Sequence, residues 1–174
     1  RNGSTVTLAD GSGLSAEAYA VSNISGQGAM GGNATGGTAS MVIENSTISG
    51  AGTLSVAAYG LALGNGQNGG AGLGQGGSAL FQTGPTSTVS VAELLVNANG
   101  INGNGSAGTG GSANVTLAGT TMTAPGVDIS AEGTGGTTGL RLTNSVLASD
   151  EVIITGGGAA LFDLDTSTIT TDLF

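Results

Sequence analysis

Short runs in which apolar and polar side chains alternate recur along the chain, separated by Gly, Asn and Asp. A period of two places alternate side chains on opposite faces of an extended strand. The Val, Ile and Thr that fill these runs favour strands. The runs fall into a repeating unit, clearest at Ser40–Gly60, Ala79–Gly100, Ala113–Gly133 and Gly139–Gly158. A looser first copy covers Ser4–Gly26 and a truncated last one Ala160–Phe174.

Three columns align between copies. The first is a turn residue closing an alternating strand: Asp10, Asn45, Gly84, Gly119, Asn144 and Asp165. All are types that accept left-handed backbone or bond their own turn. The second is a short strand with an apolar centre and hydroxyl neighbours: Thr47-Ile48-Ser49, Thr88-Val89-Ser90, Thr121-Met122-Thr123 and Thr168-Ile169-Thr170. Val146-Leu147-Ala148 departs from it. Alternation turns the centre inward and both hydroxyls outward. The third column reads apolar-x-apolar-x-small-x-Gly: Leu54, Val56, Ala58, Gly60; Leu94, Val96, Ala98, Gly100; Val127, Ile129, Ala131, Gly133; and, relaxed, Val152, Ile154, Gly156, Gly158.

A unit of three short strands cannot bury an apolar face alone, whereas stacked units can. The pattern therefore predicts an all-β parallel β-helix, or β-solenoid, of about six rungs spaced ~4.8 Å apart. Its expected core is Ile48, Leu54, Val56, Val89, Leu94, Val96, Met122, Val127, Ile129, Val152, Ile154 and Ile169, with Val42 or Ile43 on the first strand. The whole of 1–174 reads as one solenoid segment of a longer repeat protein. Its pattern stops mid-unit at both ends, so further strands are expected there.

Spacing along the turn column is 35, 39, 35, 25 and 21 residues. The excess lies in Gly-rich inserts at 26–37, 64–77 and 100–111, with a smaller one at 133–139. All follow the third strand and are expected to protrude side by side from one corner. They read either as flexible linkers or as ordered Gly/Asn arms packed through backbone alone.

Composition narrows the chemistry. Gly is 36 of 174 residues, the charged fraction is 7% and the net charge is −9. The only basic side chains are Arg1 and Arg141, and there is no Lys, His, Cys or Trp. Nucleic-acid binding needs clustered basic residues, and a thiolate or imidazole metal site needs Cys or His. Ser-His-Asp, Cys-His and Schiff-base chemistry are excluded likewise. No apolar run approaches the ~18 residues of a membrane-spanning helix. The expectation is a non-enzyme without a cofactor.

The remaining candidates are modest. Asp163 and Asp165 share one face of an extended segment and are weak Ca²⁺ candidates. The same two are all that a remote alternative, a polysaccharide-active β-helix enzyme, would have. Arg141 is expected outward and solvated. Tyr19 and Tyr59, the only tyrosines, lie on third strands and read as core or corner filling. The hydroxyl ladder of Thr47, Ser49, Thr88, Ser90, Thr121, Thr123, Thr168 and Thr170 offers an outward binding face for glycan or ice.

The turn column, the Thr/Ser-flanked strand and phrases such as VIENSTISG, TLAGTTMT and RLTNSVLAS resemble the parallel β-helix repeats of large bacterial surface proteins. These are the filamentous-haemagglutinin-like exoproteins and autotransporter passenger domains. The resemblance implies an extracellular or cell-surface fibre, stalk or adhesin shaft. Its partners would be further repeats of the same chain, other copies of itself end to end or side by side, or surface glycans.

Overall fold

The computed structural model describes residues 3–23, 31–63 and 71–174. No helix occurs among them; the regular elements are strands. The first rung holds β1 (Thr5–Leu8), β2 (Gly13–Glu17) and β3 (Ala20–Ser22), with β4 (Ala34–Thr35) returning along the first insert. The second holds β5 (Thr38–Ile43), β6 (Thr47–Gly50), β7 (Thr53–Ala57) and β8 (Gly60–Ala62), with β9 (Gly74–Gln75) returning. The third holds β10 (Ser78–Thr83), β11 (Thr88–Ser90), β12 (Glu93–Asn97) and β13 (Gly100–Ile101). The fourth and fifth hold β14 (Ser112–Ala118), β15 (Thr121–Thr123), β16 (Gly126–Thr134), β17 (Thr137–Thr143), β18 (Val146–Ala148) and β19 (Glu151–Gly157). The last holds β20 (Ala160–Asp165) and β21 (Thr168–Thr170).

Equivalent strands pair between rungs, always in parallel, as a β-solenoid requires. A six-stranded sheet runs β1-β6-β11-β15-β18-β21. One five-stranded sheet runs β5-β10-β14-β17-β20 and the other β2-β7-β12-β16-β19. Smaller sheets form from β3, β8 and β13 and from β4 with β9. The second and third rungs thus carry a fourth short strand, β8 and β13, beyond the three expected, and β3 is its equivalent in the first rung. The step that repeats is one rung, so a residue finds its like directly above it: Ile48 lies between Val6 and Val89, and Leu94 between Leu54 and Val127.

The inward positions form one aliphatic cluster. Ten of the twelve expected core residues are buried, with Leu54, Val56, Leu94, Val96, Met122 and Ile129 fully so. Ile154 and Ile169 are only partly buried against the cluster, because they stand in the last two rungs, where stacking ends. On the first strand Ile43 points in and Val42 is 52% exposed. Phe81, stacked between Met41 and Val115, is the largest fully buried side chain.

The first rung corrects the expected alignment. Thr5 pairs with Thr47, so Thr5-Val6-Thr7 is a hydroxyl strand, not a first strand. Asp10 therefore lies outside the turn column, at the next corner, where the Ser12 amide bonds the Ala9 carbonyl at 3.1 Å. The residues with left-handed backbone two places before each hydroxyl strand are Gly3, Asn45, Thr86, Gly119, Asn144 and Thr166. Asn45, Gly119 and Asn144 are as expected. In the third rung Pro85 is an extra residue whose ring forbids positive φ, which moves the conformation from Gly84 to Thr86 (φ 60°). In the last rung Asp165 pairs with Thr143 and ends its strand, leaving Thr166 (φ 51°) at the turn.

The described parts of the inserts follow the ordered reading, Gly/Asn arms packed through backbone. Residues 24–30 and 64–70 lie outside the described residues. The described parts fold back onto the rungs. Each return ends in two adjacent glycines, Gly36-Gly37, Gly76-Gly77 and Gly110-Gly111, directly before a first strand. The Gly77 and Gly111 amides bond the Ala58 and Ala98 carbonyls, both at 2.8 Å. Those of Ser78 and Ser112 bond Gly37 and Gly77, both at 2.9 Å. A Cβ on Gly76 would collide with the Ala98 carbonyl oxygen, so only glycine fits there. The third insert is described throughout. It forms a hairpin in which Asn102 and Ser106 bond through their backbones at 2.9 Å and Ile101 bridges Ala107 antiparallel.

Candidate functional site

The hydroxyl face is built as the sequence implies. Thr47, Thr88 and Thr121 stand in register, as do Ser49, Ser90 and Thr123, and the rows continue into Thr5 and Thr7 on one side. Thr168 and Thr170 lie beyond Val146 and Ala148, which interrupt both rows. Val146 leaves 42% of its surface exposed. The face is regular over four rungs and broken at the fifth.

Beside it runs a second hydroxyl column that sequence reading missed. The residue before each hydroxyl strand is Ser4, Ser46, Ser87, Thr120, Ser145 or Ser167. Ser46, Thr120, Ser145 and Ser167 each donate from Oγ to the carbonyl two residues earlier, at 2.7 to 3.1 Å. Thr120 also reaches Thr83 Oγ1 at 2.7 Å, and both are buried. These bonds satisfy carbonyls at the corner where the ladder pauses. Six Ser/Thr in six copies was the available signal. The alignment on Asp10, Gly84 and Asp165 hid it.

Asp163 and Asp165 stand two residues apart at the end of β20, beside Arg141 and Thr143 of the neighbouring rung. Asp163 Oδ2 pairs with Arg141 Nε at 3.1 Å across adjacent strands, both side chains about half exposed. Arg141 is thus outward, as expected, and committed to a partner. Asp165 Oδ1 accepts from Thr166 Oγ1 at 3.0 Å. Among the described residues no group of three metal-ligating side chains assembles.

One concavity among the described residues lies at the corner between the β2-β7-β12 sheet and the β3-β8-β13 sheet. The register of the latter puts Tyr19, Tyr59 and Asn99 in one column, with Val21, Leu61 and Ile101 in another two residues on. The two columns wall a cavity of about 370 Å³. The tyrosines fill this outer corner rather than the core. Their rings stack with centroids 5.3 Å apart, and Tyr19 is 52% exposed. Asn99 Oδ1 is fixed by the Glu132 amide at 2.7 Å and by Ser130 Oγ at 3.1 Å.

Charge near this corner is negative. Burial, then the charges of Tyr19, Asp128, Glu132 and Glu17, pushes the Tyr59 hydroxyl above its ordinary range. Burial, then Glu17, does the same to Tyr19. Asp128 is raised first by burial and then by Glu132 and Glu93. It stands between Leu95 and Ile153, and its covered Oδ1 has no hydrogen-bond partner. Nothing in the sequence pattern set Asp128 apart, because an outward Asp on a strand is ordinary.

No protein-family model, curated protein or solved structure matches the chain.

Proposed function

We propose that the chain is a structural segment of a secreted or cell-surface fibre, stalk or adhesin shaft, continued axially by further rungs or by another copy, with no enzymatic role. The observation that carries this reading is a contrast within columns. Leu140 and Leu142 are fully buried, yet their partners one rung on, Phe162 and Leu164, are each 44% exposed. At the opposite face Ile48 and Leu54 are buried, while Val6 and Leu14 are 40% and 39% exposed. These side chains point along the core and want one more rung over them. Among the described residues β5 and β20 are the edge strands of their sheet, and such edges are of the kind that accept another strand.

Cryo-electron microscopy of the native material at neutral pH tests this. Elongated particles with ~4.8 Å layers, running past the six rungs of one chain, are expected. Isolated six-rung particles would overturn it. The in-register hydroxyl rows favour a second reading, a face that binds glycan or ice. The break at Val146 and Ala148 makes it the weaker of the two.

A further inference from the structure

We propose that the corner groove walled by Tyr19, Tyr59 and Asn99 on one side and Val21, Leu61 and Ile101 on the other binds an organic cation with an apolar body, of the alkylammonium class. This is independent of the axial reading.

Three observations lead there. The first is shape: the groove is about 370 Å³, the size of small-ligand sites, which are mostly apolar with a few placed polar groups. The second is lining. Two rings, three aliphatic side chains and one anchored amide offer surface for a hydrocarbon body. Val21, on the edge strand β3, is 59% exposed, and Leu61 and Ile101 beside it are only partly covered, so the wall is open to solvent. The third is charge. Glu17, the last residue of β2, acts on Tyr19 two residues on, the Glu132 amide holds Asn99, and Asp128 and Glu132 act on Tyr59. Among the described residues the one cation, Arg141, lies on a different sheet and is paired with Asp163. An anionic ligand would meet uncompensated carboxylates, whereas a cationic head meets complementary charge as its chain covers the rings.

The chain reports on this site by itself. It has two Tyr and no Trp, so its tyrosine emission arises at the groove. The experiment titrates the purified chain with hexyltrimethylammonium, hexanol and hexanesulfonate, each below its aggregation range, and follows that emission. Hexyltrimethylammonium should saturate the signal at a concentration about threefold or more below hexanol, with hexanesulfonate weakest. Added salt should narrow the gap. Glu17→Gln with Glu132→Gln should weaken the ammonium about threefold and leave hexanol unchanged. Asp150→Asn, distant from the groove, should change neither. Equal binding of the three probes, no saturable change, or an equal effect from Asp150→Asn would overturn the proposal. Leu61→Ala, which shortens the apolar wall, should weaken ammonium and hexanol alike, and unchanged affinities there would also count against it.

Discussion

Thr166 occupies a backbone conformation that β-branched residues avoid, at φ 51°. Its column-mates Asn45 and Asn144 hold the same turn at φ 45° and 48° with a side chain that tolerates it. Thr166 is exposed, and its hydroxyl bonds only the neighbouring Asp165 carboxylate in the structure. Thr166→Asn should therefore stabilise the chain by about 0.5–1 kcal/mol, read as a rise of a few degrees in thermal midpoint. Asp128 gives a second test at this scale. Its folded carboxyl holds a proton more tightly than the ordinary 3.8, chiefly through burial. The folded state then binds more protons than the unfolded one, so this group's contribution to stability falls as pH rises from 3.8 to the higher folded value. Asp128→Asn should raise the melting temperature at pH 7, and the gain should vanish in melts run below 3.8. The sequence made the inward aliphatics legible because alternation fixes direction. It hid Asp128 and the tyrosine groove, since both depend on which rung lies above which.

Among elements, the Gly-rich returns pack through close backbone contacts. Gly76 approaches Ala98, and the Gly77 and Gly111 amides complete bonds that a free loop would leave to water. Gly76→Ala cannot be accommodated without moving backbone, whereas on Gly84 a Cβ would meet the flexible Glu44 side chain at 3.2 Å. Denaturant midpoints should separate the two: Gly76→Ala destabilising by about 2 kcal/mol or more, Gly84→Ala by less than about 1 kcal/mol. Three strands of each rung could be read from the chain because they carry apolar side chains in alternation. The fourth strand and the return could not, because their pairing is backbone to backbone and glycine leaves no periodicity. The recurring Gly-Gly-Ser/Thr-Ala phrase at Gly36, Gly76 and Gly110 was the trace they left.

For the whole molecule, cohesion is between neighbours. Every strand pairs with the rung before or after it, as in other repeat architectures. The axial faces are where that cohesion is unspent, and the negative net charge of −9 is what would oppose contact along the sides. In the microscopy described above, Leu164→Glu should shorten the particles, because it sets a charge on a column continued from the fully buried Leu142. Parallel β architecture was legible at this scale from six recurrences of one unit. The starting register was not: the first rung enters at the hydroxyl strand, and a reader aligning copies from their first strand slips there.

The left-handed positions at Gly3, Asn45, Thr86, Gly119, Asn144 and Thr166 are separated by 42, 41, 33, 25 and 22 residues, yet the strands they introduce stack in one register. Contour length and pitch are therefore uncoupled. The paired glycines return the backbone to the same place whether the preceding excursion is a hairpin, as at 100–111, or the tight passage through Gly135 and Gly136. Peptide added or removed at the hairpin tip around Asn104 and Gly105 changes what the corner displays and leaves the axial repeat untouched. Outgrowths at that corner are free to diversify while the coil beneath them keeps one geometry.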